Sequence, residues 1–298
     1  MGAKLREVRR RIRSVQSTMK ITRAMELIAT SRIMRAQQRV EAARPYAERL
    51  TAAIGDVAAA TTALGHPLLE QRPNPTAAAV LVVTSDRGLA GAYSSNVLRR
   101  AEELFAKLRQ EGKEPKIFVA GRKGVSSYRF RQRPVEASWT GFSETPTYDD
   151  AKAIADTLIE KFTAAEVDEI HAVFTDFVSV VRQRATAKRF CPLAVEEVER
   201  PERGPVAQYL FEPEPDALLE ALLPRYIATR VFNALLEAAA AEHAARRRAM
   251  SAATENSEEL IKVLTRVANQ ARQTEITTEI MEIVGGAEAL RQSAGSSR

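Results

Sequence analysis

Polar and apolar positions alternate in three different ways along the 298 residues. Near the start, Ile12, Val15, Met19 and Thr22, then Ala29, Ile33, Ala36 and Val40, follow one another at steps of three and four. That spacing draws one stripe along a helix and predicts a coiled-coil seam. Glu26 falls on the seam with Met25 and Ile28 beside it, which interrupts or widens the stripe there. Near the end, Ser257, Ile261, Leu264, Ala268 and Ala271 form a second stripe, and Ile276, Ile280, Ile283, Ala287 and Leu290 continue it in a shifted register. Between these regions lie short apolar runs, Gly/Pro turns and amphipathic stretches.

Helix breakers respect the same division. Residues 3–44 and 225–284 contain neither Pro nor Gly, runs of 42 and 60 residues, whereas a typical helix has about 11–12. At ~1.5 Å per residue the second run would extend about 90 Å, more than a compact domain of this size can wrap. The two terminal helices are therefore expected to pack on each other, antiparallel because the chain must leave and return. Pro45 is expected to kink the first helix, with 46–63 again helix-compatible. Gly285 and Gly286 are expected to weaken or end the last. The polar residues 291–298 read as a frayed tail.

In the middle, 77–83 (Ala-Ala-Ala-Val-Leu-Val-Val) reads as a fully buried strand. Residues 96–111 and 148–165 read as amphipathic helices, and 116–120, 170–177 and 187–195 as further strands. This alternation predicts a small, mostly parallel sheet with helices on its faces. The fold class is thus α+β: a long antiparallel coiled coil of the N- and C-terminal helices plus a central Rossmann-like α/β domain. The corresponding boundaries are 1–63 for the first helix, 75–200 for the central domain, 216–290 for the second helix and 291–298 for the tail. Residues 200–215, rich in Pro, connect the central domain to the last helix.

Charge adds a polarity to this picture. The net charge is +6, yet residues 1–49 carry thirteen Lys/Arg against four Asp/Glu, an excess of nine. The remainder is net acidic, so the basic character belongs to one helix and points to an acidic partner or to a solvated face. A coiled coil that binds nucleic acid through this helix is the alternative reading, disfavoured because the seam is alanine-rich and no aromatic residues interleave the cations. The single Cys191 excludes an internal disulfide and a cysteine-built metal site. Three scattered histidines argue against a histidine cluster. No apolar run is long enough to cross a bilayer.

Candidate chemistry is sparse. The segment Thr84-Ser85-Asp86-Arg87-Gly88-Leu89-Ala90-Gly91-Ala92 follows a strand and precedes a helix, the place of a phosphate-binding loop. Its glycine spacing fits no nucleotide fingerprint, and Gly121-Arg122-Lys123-Gly124 resembles it only in position. Both read as tight turns. Asp149-Asp150 read as partners of a helix N-terminus, Cys191 as buried, and Arg246-Arg247-Arg248 as phosphate contacts or a solvated face. No catalytic, cofactor-binding or metal site is expected.

The terminal helices carry a resemblance. The run from Arg11 to Ala29, Arg-Ile-Arg-Ser-Val-Gln-Ser-Thr-Met-Lys-Ile-Thr-Arg-Ala-Met-Glu-Leu-Ile-Ala, closely resembles the N-terminal signature of the gamma subunit of bacterial F-type ATP synthases. Glu242-His243-Ala244-Ala245-Arg246, Ala253-Thr254-Glu255-Asn256, Ala271-Arg272-Gln273, Ile276-Thr277-Thr278-Glu279-Ile280 and Glu282-Ile283-Val284-Gly285-Gly286-Ala287 fit the same family, as does Ser85-Asp86-Arg87-Gly88-Leu89. The family's Cys-Gly-Gly is replaced by Ala90-Gly91-Ala92, its Tyr-Asn by Ala268-Asn269, and the cysteine pair of thiol-regulated relatives is missing. The resemblance implies a non-catalytic rotor shaft that couples rotation of a proton-driven membrane c-ring to ATP synthesis or hydrolysis at beta subunits. Its implied partners are the alpha and beta subunits, the epsilon subunit and the c-ring, with no cofactor and no nucleic acid. It implies that Met25 faces an acidic segment of beta and that Arg272, Gln273 and Thr277 meet the inner loops of the ring. Ile276, Ile280 and Ile283 would turn in an apolar bearing. The implied location is the cytoplasmic side of a bacterial plasma membrane, peripheral, with membrane association through the c-ring.

Overall fold

The computed structural model describes residues 3–60, 68–69, 72–192 and 214–295. Ten elements follow in order: α1 (Ala3–Ala60), β1 (Ala77–Val83), α2 (Tyr93–Gln110), β2 (Glu114–Ala120), α3 (Arg122–Phe130), β3 (Ala137–Trp139), α4 (Tyr148–Thr163), β4 (Glu169–Phe177), β5 (Gln183–Cys191) and α5 (Pro215–Gly295). The chain divides into two compact units. One joins residues 1–28 to 248–298; the other comprises 29–247.

The larger unit is built on one five-stranded sheet in the order β3-β2-β1-β4-β5. β1 pairs in parallel with β2 and β4, and β2 with β3; β4 and β5 are antiparallel. Alternation along β1 explains the layering. Ala78, Val80 and Val82 face α2, where Val97, Ala101, Phe105 and Leu108 are buried with Tyr128 of α3. Ala79, Leu81 and Val83 face the opposite layer, where Ile154, Leu158 and Phe162 of α4 meet Leu223, Ile227 and Val231 of α5 and Leu50, Ile54 and Val57 of α1. A strand buried on both faces must be apolar at every position, which is why β1 reads as an unbroken run. α4 opens with a capping box: Asp150 N donates to Thr147 Oγ1 at 3.2 Å and Thr147 N to Asp150 Oδ2 at 2.8 Å.

The smaller unit pairs the two chain ends. Thr22 and Thr254 join hydroxyl to hydroxyl at 2.7 Å. Ile12, Val15, Met19 and Thr22 are buried or half-buried, as are Ser257, Ile261, Leu264, Ala268 and Ala271. The helical stripes read from the sequence are therefore the covered faces. The shifted stripe is not covered: Ile276, Ile280, Ile283 and Ala287 are all exposed. In an antiparallel pair anchored at Thr22 and Thr254, Ala3 falls level with Gln273, so α1 has no residues left to cover the rest.

As expected, α1 continues past Pro45, and α5 likewise runs through Pro224; packing downstream of each proline (Leu50 and Ile54; Ile227 and Val231) holds the helix across one missing hydrogen bond. Several expectations are corrected. α5 continues through Gly285 and Gly286 to Gly295. Neither glycine adopts the left-handed conformation of a helix stop, and each then costs only about 1 kcal/mol against Ala. The helix thus covers the first five residues of the expected tail. α3 and β3 were not expected; nine and three residues respectively, they are too short to declare a period. β5 starts at Gln183 rather than 187, because its polar first half is an exposed edge held by pairing to β4. The rest of its expected span, 193–195, and the linker up to 213 lie outside the described residues.

Candidate functional site

β1 is flanked by β2 and β4, which places its C-terminal end at the point where the sheet's winding reverses. Open α/β sheets bind ligands in this crevice. Here the chain fills it from within. Asp86, just past β1, accepts the amide hydrogens of Arg122 at 3.0 Å through Oδ1 and of Gly141 and Ser143 at 2.8 and 3.0 Å through Oδ2. The next amides of α3 are also taken: Lys123 N donates to Ser85 O at 2.9 Å and Gly124 N to Thr84 Oγ1 at 2.9 Å. The helix N-terminus that would cradle a phosphate already holds a carboxylate, a carbonyl and a hydroxyl. Contact is close enough to dictate Gly121, whose φ is +108° and where a Cβ would lie 2.1 Å from Thr84 O. Both suspected phosphate loops are thus halves of one internal clasp.

A second knot lies in the loop before α4. The Glu144 carboxylate pairs with Arg32 of α1 and lies 3.3 Å from Arg246 Nη1 of α5 and 3.7 Å from Arg87. Arg246 is buried and also bonds Glu242 Oε1 at 2.6 Å. Burial raises the Glu242 carboxyl above its ordinary range even against this cation. His243 Nε2 sits 3.3 Å from Glu144 O; a carbonyl only accepts, so Nε2 carries the hydrogen. Burial lowers this imidazole to about 4, which keeps it neutral at pH 7. Arg246 is therefore neither a solvated residue nor a free phosphate ligand. Cys191 is buried, and burial pushes its thiol up to about 12, which removes its nucleophilicity.

The residues assigned to partner contact all lie in the smaller unit. Met25 is half-buried on α1. Arg272, Gln273, Ile276, Thr277, Ile280 and Ile283 are exposed on α5. Thr277 Oγ1 bonds Gln273 O at 2.9 Å, within its own helix. The structure brings these six together on one stretch of helix, at and beyond the level where α1 begins, and leaves Met25 apart from them. Asp86 stood in the suspected loop, but its role as an internal ligand was not read from the sequence, and Glu144 was not singled out at all. Their partners lie 36 to 57 residues away for Asp86 and 57 to 112 for Glu144, and nothing local announces them.

With this geometry in place, comparison decides the family. A profile of the family described as ATP synthase matches residues 4–290. The ATP synthase gamma chain of Mycolicibacterium smegmatis is 58% identical over 307 aligned residues, covering 98% of this chain and 100% of that one.

The chain belongs to the ATP synthase gamma chain family.

Its fold is also that of solved relatives. A chain from the Euglena gracilis mitochondrial ATP synthase rotor matches with a TM-score of 0.65 at 16% identity, over 93% of this chain and 100% of that one. A chain from the OSCP/F1/c-ring assembly of the same enzyme matches at 0.67 and 16%, over 97% and 95%. The nucleic-acid reading of the basic helix finds no support among these relatives. For a gamma chain, the paired ends and the internally filled crevice are two halves of one description: one unit offers helix surface, the other is closed around its own side chains.

Proposed function

We propose that this gamma chain is the central rotor shaft of a proton-translocating F-type ATP synthase. It transmits rotation of a membrane c-ring to the beta subunits, which perform the nucleotide chemistry. The observation that carries the reading is the pairing of the chain ends through Thr22 and Thr254, with α5 continuing past the end of α1 as exposed helix. Paired helices resist bending and twisting better than one, and an unpaired end presents a different face in every direction. The relative from Mycolicibacterium smegmatis is a gamma chain, and the solved neighbours belong to a rotor and to an F1/c-ring assembly.

The chain supplies no catalytic group in this reading. Its partners are the alpha and beta subunits around α1 and α5, with the epsilon subunit and the c-ring below. No helix among the described residues is long and apolar enough to cross a membrane; attachment is peripheral, on the cytoplasmic face of a bacterial plasma membrane, through the c-ring. Met25 faces beta, Arg272, Gln273 and Thr277 meet the inner loops of the ring, and Ile276, Ile280 and Ile283 run in an apolar sleeve.

Coupling here is a difference in contact energy among identical sites. Reversing a two-state site from 1:99 to 99:1 takes about 5.5 kcal/mol, more than one exposed side chain supplies. Arg272→Ala and Gln273→Ala are each expected to lower ATP synthesis in part, and to lower it further together. Reconstitution with alpha and beta subunits tests the reading: one copy per hexamer is expected, and synthesis by reconstituted vesicles should fall in steps. Failure to enter the ring would overturn the assignment, and total loss from one substitution with assembly intact would overturn the distributed contact.

A further inference from the structure

A cavity of about 280 Å³ opens beside the Glu144 knot, wholly within the larger unit. Arg32, Arg35 and Arg39 line it from α1, Leu236, Ala239 and His243 from α5, and Thr145 and Pro146 from the intervening loop. The three arginines recur at steps of three and four, so one helix face turns three guanidinium groups to the same side. Glu144 is the sole carboxylate in this lining, and it is already committed to Arg32, Arg246 and Arg87. Among the described residues, Arg35 and Arg39 have no acidic partner. His243 is held neutral there by burial and adds no charge. The cavity therefore carries an uncompensated excess of two positive charges beside apolar walls of Ala36, Leu236 and Ala239.

We propose that this cavity is a binding site for a phosphate group. Guanidinium groups present paired N–H donors in a fixed fork that matches tetrahedral oxyanions; Arg35 and Arg39 are exposed and reach the open mouth of the cavity, while buried Ala36, Leu236 and Ala239 form its floor. The volume lies just under the ~300–1,000 Å³ of sites for drug-sized ligands, which suits a small anion. A second hollow of about 660 Å³ shares Arg39, Thr145 and Pro146 and adds Thr147 and Phe232. It gives room for the remainder of a larger phosphate ester. Free phosphate and a nucleotide's terminal phosphate share this chemistry. The site is distinct from the crevice at β1, whose donors Asp86 has already taken.

Calorimetric titration of the full-length chain at constant ionic strength, with inorganic phosphate in one arm and ADP in the other, tests the site. Saturable one-site binding is expected, weakened at least about tenfold in Arg35→Gln/Arg39→Gln. Arg10→Gln/Arg13→Gln, on exposed positions of the same helix, should change it less than about twofold. Tighter binding of ADP than of phosphate assigns the nucleotide as the source; equal or weaker binding assigns the free ion. Circular dichroism checks that the Gln pair stays folded. Should it not, Arg35→Lys/Arg39→Lys keeps charge and helix propensity but loses the fork, and at least about threefold weaker binding is expected. Lack of saturation with both ligands, or wild-type affinity in a folded Arg35/Arg39 variant, overturns the proposal.

Discussion

Single side chains in this protein are tuned by where the fold puts them. Glu237, on α5, is raised to about 7, first by burial and then by the neighbouring Asp176 carboxylate with which it shares a hydrogen bond. Asp176 itself is tied to Lys188 Nζ at 2.9 Å. A carboxyl raised from 4.5 to about 7 on folding stabilises the native state in its protonated form, so that contribution is intact below pH 4.5 and lost as pH rises through 7. Glu237→Gln mimics the protonated form permanently. It should raise stability by about 1–3 kcal/mol at pH 8 and leave it unchanged at pH 4.5, as read from denaturant midpoints at the two pH values. The opposite pH dependence would show that the two carboxylates do not share a proton.

At the scale of elements, the chain ends pair along their covered stripes, with Thr22 and Thr254 joined hydroxyl to hydroxyl among them. Each hydroxyl has one hydrogen, and the carbonyls near them, Met19 O at 3.0 Å from Thr22 Oγ1 and Met250 O at 2.9 Å from Thr254 Oγ1, only accept. One Thr therefore donates to the other, and the hydroxyl left when its partner becomes Val donates to its own helix carbonyl and is not orphaned. Thr22→Val and Thr254→Val should therefore each cost under about 1 kcal/mol, with a coupling between them of about 0.5–1.5 kcal/mol in a double-mutant cycle. Additive effects would mean that the hydroxyls do not hold the register. This element was the most legible in the sequence, because a helical seam repeats locally and Ile12, Val15, Met19, Thr22, Leu264 and Ala268 declare it. β1 was legible for the same reason. α3 was not, since nine residues beginning at Arg122 offer no period, nor was the start of β5, whose order comes from its neighbour.

For the molecule as a whole, the same logic separates what folds the chain from what it does. From Ile276 to Ala287 every side chain is exposed, so these residues bury little that stabilises the fold. Removing residues 276–298 should shift the thermal midpoint of the isolated chain by less than about 2 °C, while reconstituted ATP synthesis falls. A large loss of stability would mean that this stretch packs against the rest of the chain. The proposed contact residues were named only through family resemblance; the spacing of Ile276, Ile280 and Ile283 showed a stripe, but physical patterning alone does not distinguish a working surface from an idle one. The Asp86 and Glu144 knots escaped for a different reason: their partners are separated by tens of residues, and a carboxylate in a loop looks the same whether it faces water or distant segments of the chain.

Asp86 leaves one consequence of its own. By seating a side chain among the amides of Arg122, Gly141 and Ser143, the chain has become its own ligand, permanently and at an effective concentration no solute can match. Shortening that side chain, in Asp86→Gly, would vacate a socket lined with N–H donors at a helix start, a fair receptor for formate or acetate. Such a variant should melt early and regain part of its lost thermal midpoint as carboxylate salt is added, beyond what chloride restores. A crevice that elsewhere waits for cargo serves here as a buckle, and small molecules should be able to refasten it.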